Sequence, residues 1–236
     1  MIGEGPFNTQ LREIEAILKK LKLFAERQRF PNTSLGAAVF RGKTYREVYD
    51  LAFKELAFNF RLTDQSLLFF KKSGTTIHDG SLSFIYYEAP VAVMSYELFL
   101  SSEFGLDPTT VEFEKMLKEC GDEWLPDYEQ YVRASDLKQA VTPLRYDCKA
   151  EDYRAGIHPA AHMHFGVENN IRLGSRRVMG PLGFTLFILR QHYPSSWQEV
   201  LDWPNCEVLC RQFRTALDEV DAAYWRANDE RELHLA

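Results

Sequence analysis

The sequence is short of the features that most readily declare a function. Its four cysteines, Cys120, Cys148, Cys206 and Cys210, show no CxxC or CxxH spacing, which argues against a zinc ribbon or a redox disulfide. Cys206 and Cys210, four apart in a helical pattern, read as two buried thiols. No glycine-rich phosphate loop, GxSxG elbow or internal repeat is present, so P-loop, dinucleotide-binding and α/β-hydrolase chemistry are not encoded. No apolar run nears the roughly 20 residues of a membrane helix; the longest, Phe184 to Leu189, is followed at once by Arg190. Met1 to Phe7 contains Glu4 and lacks the apolar stretch of a signal peptide, so a reducing cytoplasm is expected. Excess positive charge is missing too. At a formal net charge of −6, contact with phosphates has to come from a local patch rather than the whole surface.

What is present is an ordinary globular composition, 45% hydrophobic and 26% charged over 236 residues, enough for a full core and read as a single domain. Residues 1–43 predict a helix capped by Asn8, with Leu11, Ile14, Ile17, Leu18, Leu21 and Phe24 on one face, ending at Phe30-Pro31-Asn32. Its other face, with Lys19, Lys20, Lys22, Glu26 and Arg27, reads as solvated. Residues 44–94 predict a helix opened by the capping box Thr44-x-x-Glu47, with Tyr45, Val48, Tyr49, Ala52 and Leu56 as its buried stripe. An antiparallel meander follows: Phe58 to Leu62, the turn Thr63-Asp64-Gln65, Ser66 to Lys71, a longer loop with His78, and a strand carrying Leu82, Phe84 and Tyr86. Residues 95–140 read as a helical insertion over the sheet, acidic on its outer face. Residues 141–174 return to strands. Residues 175–236 supply closing helices: Ser175 capping an apolar helix over Val178 to Gln191, then a segment packing Leu201, Val208, Leu209, Phe213, Leu217 and Val220, with frayed polar residues at the end. The class is α+β, a twisted antiparallel sheet flanked by helices.

The chemistry is crowded between Arg145 and Leu173. Three of the six histidines, His158, His162 and His164, fall within seven residues. If Ala161 to Val167 is a strand, the two-residue period sends His162 and His164 to one face and Ala161, Met163 and Phe165 to the core, leaving the histidine face free for chemistry. Arg145 and Asp147 share a face opposite Leu144 and Tyr146. Glu168-Asn169-Asn170 is turn chemistry that brings Arg172 back beside the histidines. Arg176 and Arg177 then fall at a helix start, where free backbone N–H groups favour anions.

Three readings follow. His162, His164 and Asp147, with His158 nearby, could hold a divalent metal that activates water. The two histidines could instead act as base and acid on a phosphate ester while Arg145 and Arg172 stabilise the phosphoryl oxygens. Or the groups form a polar network that binds a partner or holds the sheet. The alternating His-apolar pattern of histidine-triad nucleotide hydrolases is not completed, because Gly166 stands at the third position. One member each of Phe69-Phe70 and Tyr86-Tyr87 must face away from the main core, as a stacking surface for bases or under cover of the middle helices.

Thr44-Tyr45-Arg46-Glu47-Val48-Tyr49, Asp64-Gln65-Ser66, Val141-Thr142-Pro143-Leu144-Arg145-Tyr146-Asp147, His158 to Gly166 and Ile171-Arg172 together resemble a bacterial family known as a domain of unknown function, from about Thr44 to Tyr193. The pairing of RYD with HPxxHxHxG is its most specific part. A shorter arrangement, RYD before a histidine-rich strand, is similar to small toxins of toxin–antitoxin pairs. The resemblance implies a bacterial cytoplasmic protein from a mobile or phage-defence operon. The expected function is phosphodiester hydrolysis on nucleic acid or a nucleotide; the alternative is a non-catalytic subunit binding an operon-encoded partner protein through the same polar sheet face.

Overall fold

The computed structural model describes residues 2–35, 40–166, 171–215 and 217–235, with only the backbone of 211–215. The first helix, α1 (Glu4–Lys20), starts before Asn8: Gly3 is its N-cap, without a side-chain cap, and the Asn8 amide donates to Glu4. Leu11, Ile14, Ile17 and Leu18 are buried as their spacing requires. The helix does not run to Phe30. Lys22 takes a left-handed backbone at φ 55°, and the chain leaves as the strand β1 (Phe24–Arg27).

The capping box forms as read. The Thr44 hydroxyl accepts from the Glu47 N–H and the Glu47 carboxylate accepts from the Thr44 N–H, opening α2 (Tyr45–Lys54). Leu56 lies beyond this helix at φ 54° and is exposed rather than part of its stripe. The meander is β2 (Phe60–Leu62), β3 (Leu67–Ser73) and β4 (Ser81–Tyr87). The 95–140 segment forms α3 (Tyr96–Phe104), α4 (Val111–Cys120) and α5 (Leu125–Ala134) around its own small core of Phe99, Leu100, Phe113 and Tyr128. Then come β5 (Leu144–Lys149), β6 (Ala161–Phe165) and β7 (Arg172–Ser175). The expected turn at Glu168-Asn169-Asn170 and the strand's last residue, Val167, lie outside the described residues.

Ser175 does not cap the next helix; it ends β7, and its hydroxyl donates to the Arg177 carbonyl. Helix α6 (Pro181–His192) starts instead at Gly180 with Pro181 in its first turn. The acceptor its first turn needs comes from another element: Gln10 of α1 accepts from the Leu182 N–H at 3.1 Å. Helices α7 (Pro194–Leu201), α8 (Cys206–Thr215) and α9 (Ala227–Arg231) follow. Val200, Leu209 and Val220 are buried, whereas Leu201 and Val208 face solvent, and Phe213 is outside the described side chains. The polar end is not frayed. It returns to the sheet as β8 (His234–Leu235).

The eight strands of the described residues form one sheet in chain order, each antiparallel to the next except β8, which runs parallel to β7. One face carries Phe70, Phe84, Tyr146, Met163 and Leu173 across five strands, the first four buried in the core with α1 and α6 and Leu173 packed against its edge. Phe184 of α6 meets Phe70 edge-on with ring centres 6.1 Å apart. Each fully buried Leu, Ile or Phe contributes roughly 1.5–3 kcal/mol, so Phe184, Leu186, Ile188 and Leu189 anchor α6 by several kcal/mol between them. Tyr146 is satisfied inside this core because its hydroxyl accepts from the Met179 N–H. On the other face, α2 covers Leu67, Phe69 and Tyr87 with Val48, Tyr49 and Ala52. Phe69 and Tyr87, the members of the two aromatic pairs that face away from the main core, are therefore buried by α2, not by the middle helices, and offer no base-stacking surface.

Candidate functional site

The register of the sheet assembles the site. On the face shared with α2, Phe69, Ile85, Arg145, His164 and Arg172 stand side by side on β3 to β7, and the next row is Lys71, Ser83, Asp147, His162, Gly174 and His234. In each row the side chains project the same way. Strand order thus brings Arg145 and Asp147 directly against His164 and His162.

The contacts are short. Arg145 Nε donates to Asp147 Oδ2 at 2.7 Å, and the Ser83 hydroxyl donates to Asp147 Oδ1 at 2.9 Å. His162 Nδ1 lies 2.8 Å from the Pro159 carbonyl, which fixes that nitrogen as the donor. His162 Nε2 and His164 Nε2 are 2.8 Å apart, Arg145 Nη2 lies 2.9 Å from His164 Nε2, and Asp147 Oδ2 lies 3.4 Å from the same nitrogen. The His158 ring meets the His162 ring edge-on at 4.7 Å, and its buried Nδ1 has no hydrogen-bond partner.

The histidine face is not open, as the alternation alone had implied. His162 is 3% and His164 5% exposed, while the Arg145 and Asp147 side chains keep 34% and 25%. Beside them in the row, Pro159 and, from far along the chain, Trp225 lie over Gly174, where a Cβ would come within 3.1 Å of Pro159 Cγ. That row position is glycine because the wall passes so close.

Burial and charge set the protonation. For Asp147, burial raises the pKa, but the His164 imidazole, the Arg145 charge and the Ser83 hydroxyl outweigh it and hold the carboxyl at about 2. Burial, with His164 beside it, pushes His162 down to about 4. His158 is lowered by burial first and by the Arg172 charge second, which places Arg172 within electrostatic reach of the histidines. Asp147 is thus ionised and His162 neutral near pH 7.

Of the residues expected from sequence, Arg145, Asp147, His158, His162, His164 and Arg172 come together. Arg176 and Arg177 do not stand at a helix start. They lie between β7 and α6, engaged by Glu230 and Glu219. Ser83 was not anticipated; the alternation of Leu82, Phe84 and Tyr86 puts it on the correct face, but only the β4–β5 register aligns it with Asp147.

His162, His164 and Asp147 each offer one ligand atom, all within 4.8 Å of one another, the group among the described residues with the spacing of a metal centre. A cleft of about 740 Å³ between α2, the β1–β2 edge and the helical insertion is lined by Arg46, Tyr49, Phe53, Arg61, Tyr96 and Tyr128 and contains none of these groups. Its Arg46 and Arg61 are paired with Asp50 and Glu26. No helix among the described residues is long and apolar enough to cross a membrane.

No curated protein and no solved structure matches the chain. A family model described as an uncharacterized conserved protein (DUF2290) matches residues 19–235, which include every group of the site, and the chain belongs to that family.

Proposed function

We propose that this chain hydrolyses phosphodiester bonds in nucleic acid or nucleotides at the His162–His164–Asp147 cluster. The observation that carries the reading is the convergence of two imidazole nitrogens and a carboxylate oxygen within 4.8 Å, with the Arg145 guanidinium in hydrogen-bond range of His164 and Asp147. Imidazoles move protons or bind the ion that activates water, and arginines neutralise phosphoryl oxygens as charge develops. In this scheme the half-exposed Arg145 and the exposed Arg172 meet the phosphate, Asp147 orients His164, and His158 stands at the mouth. Cytoplasmic RNA and the DNA of invading phage are the first substrates to try, in keeping with a defence or toxin–antitoxin operon.

The test is hydrolysis of single- and double-stranded RNA and DNA and of cyclic nucleotides by the folded protein, with and without added divalent metal. His164→Ala should lower the rate by about 10²–10⁴-fold while circular dichroism stays unchanged. A folded wild type inert on all of them, or His164→Ala at full activity, would sink the proposal.

A second reading has its own support: the near-complete burial of both imidazoles suits a non-catalytic module that binds an operon-encoded partner through this face. It requires that His162→Ala and His164→Ala lose stability, by about 1–3 kcal/mol, with no activity to lose.

A further inference from the structure

We infer that His162 Nε2, His164 Nε2 and Asp147 Oδ2 are the ligands of one divalent transition-metal ion, with zinc the first candidate. This names the cofactor of the site proposed above. Its role in hydrolysis rests on that reading, whereas its binding does not.

The argument is donor and acceptor bookkeeping at three short contacts. A carbonyl oxygen only accepts, so His162 Nδ1, 2.8 Å from Pro159 O, carries the proton, and in the neutral ring Nε2 presents a bare lone pair. Arg145 Nη2 only donates, so its 2.9 Å contact requires a bare lone pair on His164 Nε2 as well. The two imidazole nitrogens then face each other, acceptor to acceptor, at 2.8 Å. Placing a proton on His164 Nε2 repairs that contact but sets N–H against N–H at Arg145. Positive charge between the two nitrogens, as a proton on His162 Nε2 or as a cation held by both rings, makes both contacts attractive.

A cation between the two nitrogens uses both lone pairs at once. The third ligand is already in place, since Asp147 Oδ2 is 3.4 Å from His164 Nε2. The surroundings are those that orient metal ligands: the His162 Nδ1–H on a backbone carbonyl, the Ser83 hydroxyl on Asp147 Oδ1, and Arg145 Nε on Oδ2. Tetrahedral bonds of about 2.0–2.1 Å set ligand nitrogens roughly 3.3 Å apart, so the rings must open by about half an ångström, within the reach of small side-chain rotations. Two imidazoles with one carboxylate suit zinc, iron or manganese better than magnesium or calcium, which take oxygen-rich sites. Three protein ligands leave a position for water or a phosphoryl oxygen. Arg145 Nη2 would then be released from His164, free to meet that phosphate.

The test is titration of chelator-treated, untagged protein with Zn²⁺ by calorimetry and with Co²⁺ by its visible absorption. The expected result is one ion per chain with a Kd below about 1 μM, weakened at least 100-fold in His162→Ala and in Asp147→Asn and unchanged in His78→Ala. Because the ligand variants could unfold, Arg145→Ala supplies a second arm: removing the competing guanidinium should keep or tighten binding. Absence of saturable one-to-one binding to folded wild type overturns the assignment, as does unaltered binding in both ligand variants. A bound ion without hydrolysis defeats the function proposed above and leaves the metal site standing. Hydrolysis undiminished in the chelator-treated protein leaves the function standing and overturns the ion's role in it.

Discussion

Two halves of one sheet face differ more from each other than do the two faces of the sheet. On β3 and β4 the outward positions Leu67, Phe69, Ile85 and Tyr87 are apolar and α2 covers them. Along the Phe69–Ile85 row the residues become Arg145, His164 and Arg172 on β5 to β7, and the next row sets Asp147 and His162 beside them. Backbone geometry is the same in both halves, so the difference is entirely in the side chains. The apolar half gains stability by excluding water. The polar half spends stability, since its buried imidazoles and ion pair need one another's hydrogen bonds to be tolerated at all.

The largest effect that would break this contrast is expected on the apolar side. Phe69→Ala should cost about 3–5 kcal/mol, read from the denaturant midpoint, and a loss under about 1 kcal/mol would mean that α2 does not seal that half. Next comes Asp147→Ala, which strands Arg145 and should cost about 1–3 kcal/mol. The double variant with Arg145→Ala should cost less than the two single losses together, the sign that the groups act as a pair. Strict additivity in that cycle would contradict the network. Thr44→Ala removes the cap of the covering helix, and about 1 kcal/mol is expected from thermal melts.

The smallest effect concerns pH. His192 on α6 is partly buried against the Tyr86 ring, and burial lowers its pKa despite Glu88 and Asp64 nearby, with Lys138 adding to the lowering. The unfolded chain therefore binds this proton more readily than the folded one. Its contribution to stability is full above the ordinary value of 6.5 and is lost as pH falls from there through the folded pKa. Melting temperature should fall below about pH 6.5, and His192→Gln should flatten that part of the curve. An unchanged profile in the variant would assign the acid sensitivity to other groups.

How much of this was legible in the sequence depends on how far each signal reaches. Alternation placed Arg145 with Asp147 and His162 with His164 because a strand's period is local. The Thr44–Glu47 box was legible for the same reason. Strand β1 was not, because Phe24 continues the spacing of Leu18 and Leu21, and the break comes from a left-handed Lys22 that carries no compositional mark. Strand β8 has two residues, too few for any period. The cover over Gly174 escaped notice because Pro159 and Trp225 meet there only after folding. Ser83 needed the register between strands joined by a long connection, which no local pattern supplies.

Strand order that follows chain order has a consequence for assembly. The β2–β3, β3–β4, β5–β6 and β6–β7 pairings each close a short connection, so these parts of the sheet can grow by zipping. Three joins are long: β1 to β2 across α2, β7 to β8 across α6 to α9, and β4 to β5 across the segment that holds α3 to α5. Those helices gather around their own aromatic core, which shortens the effective loop and lowers the entropy of closing it. Docking of β5 onto β4, the step that first brings Asp147 to Ser83, should then be a slow step of folding, which the local pairing of β5 with the histidine strand can precede.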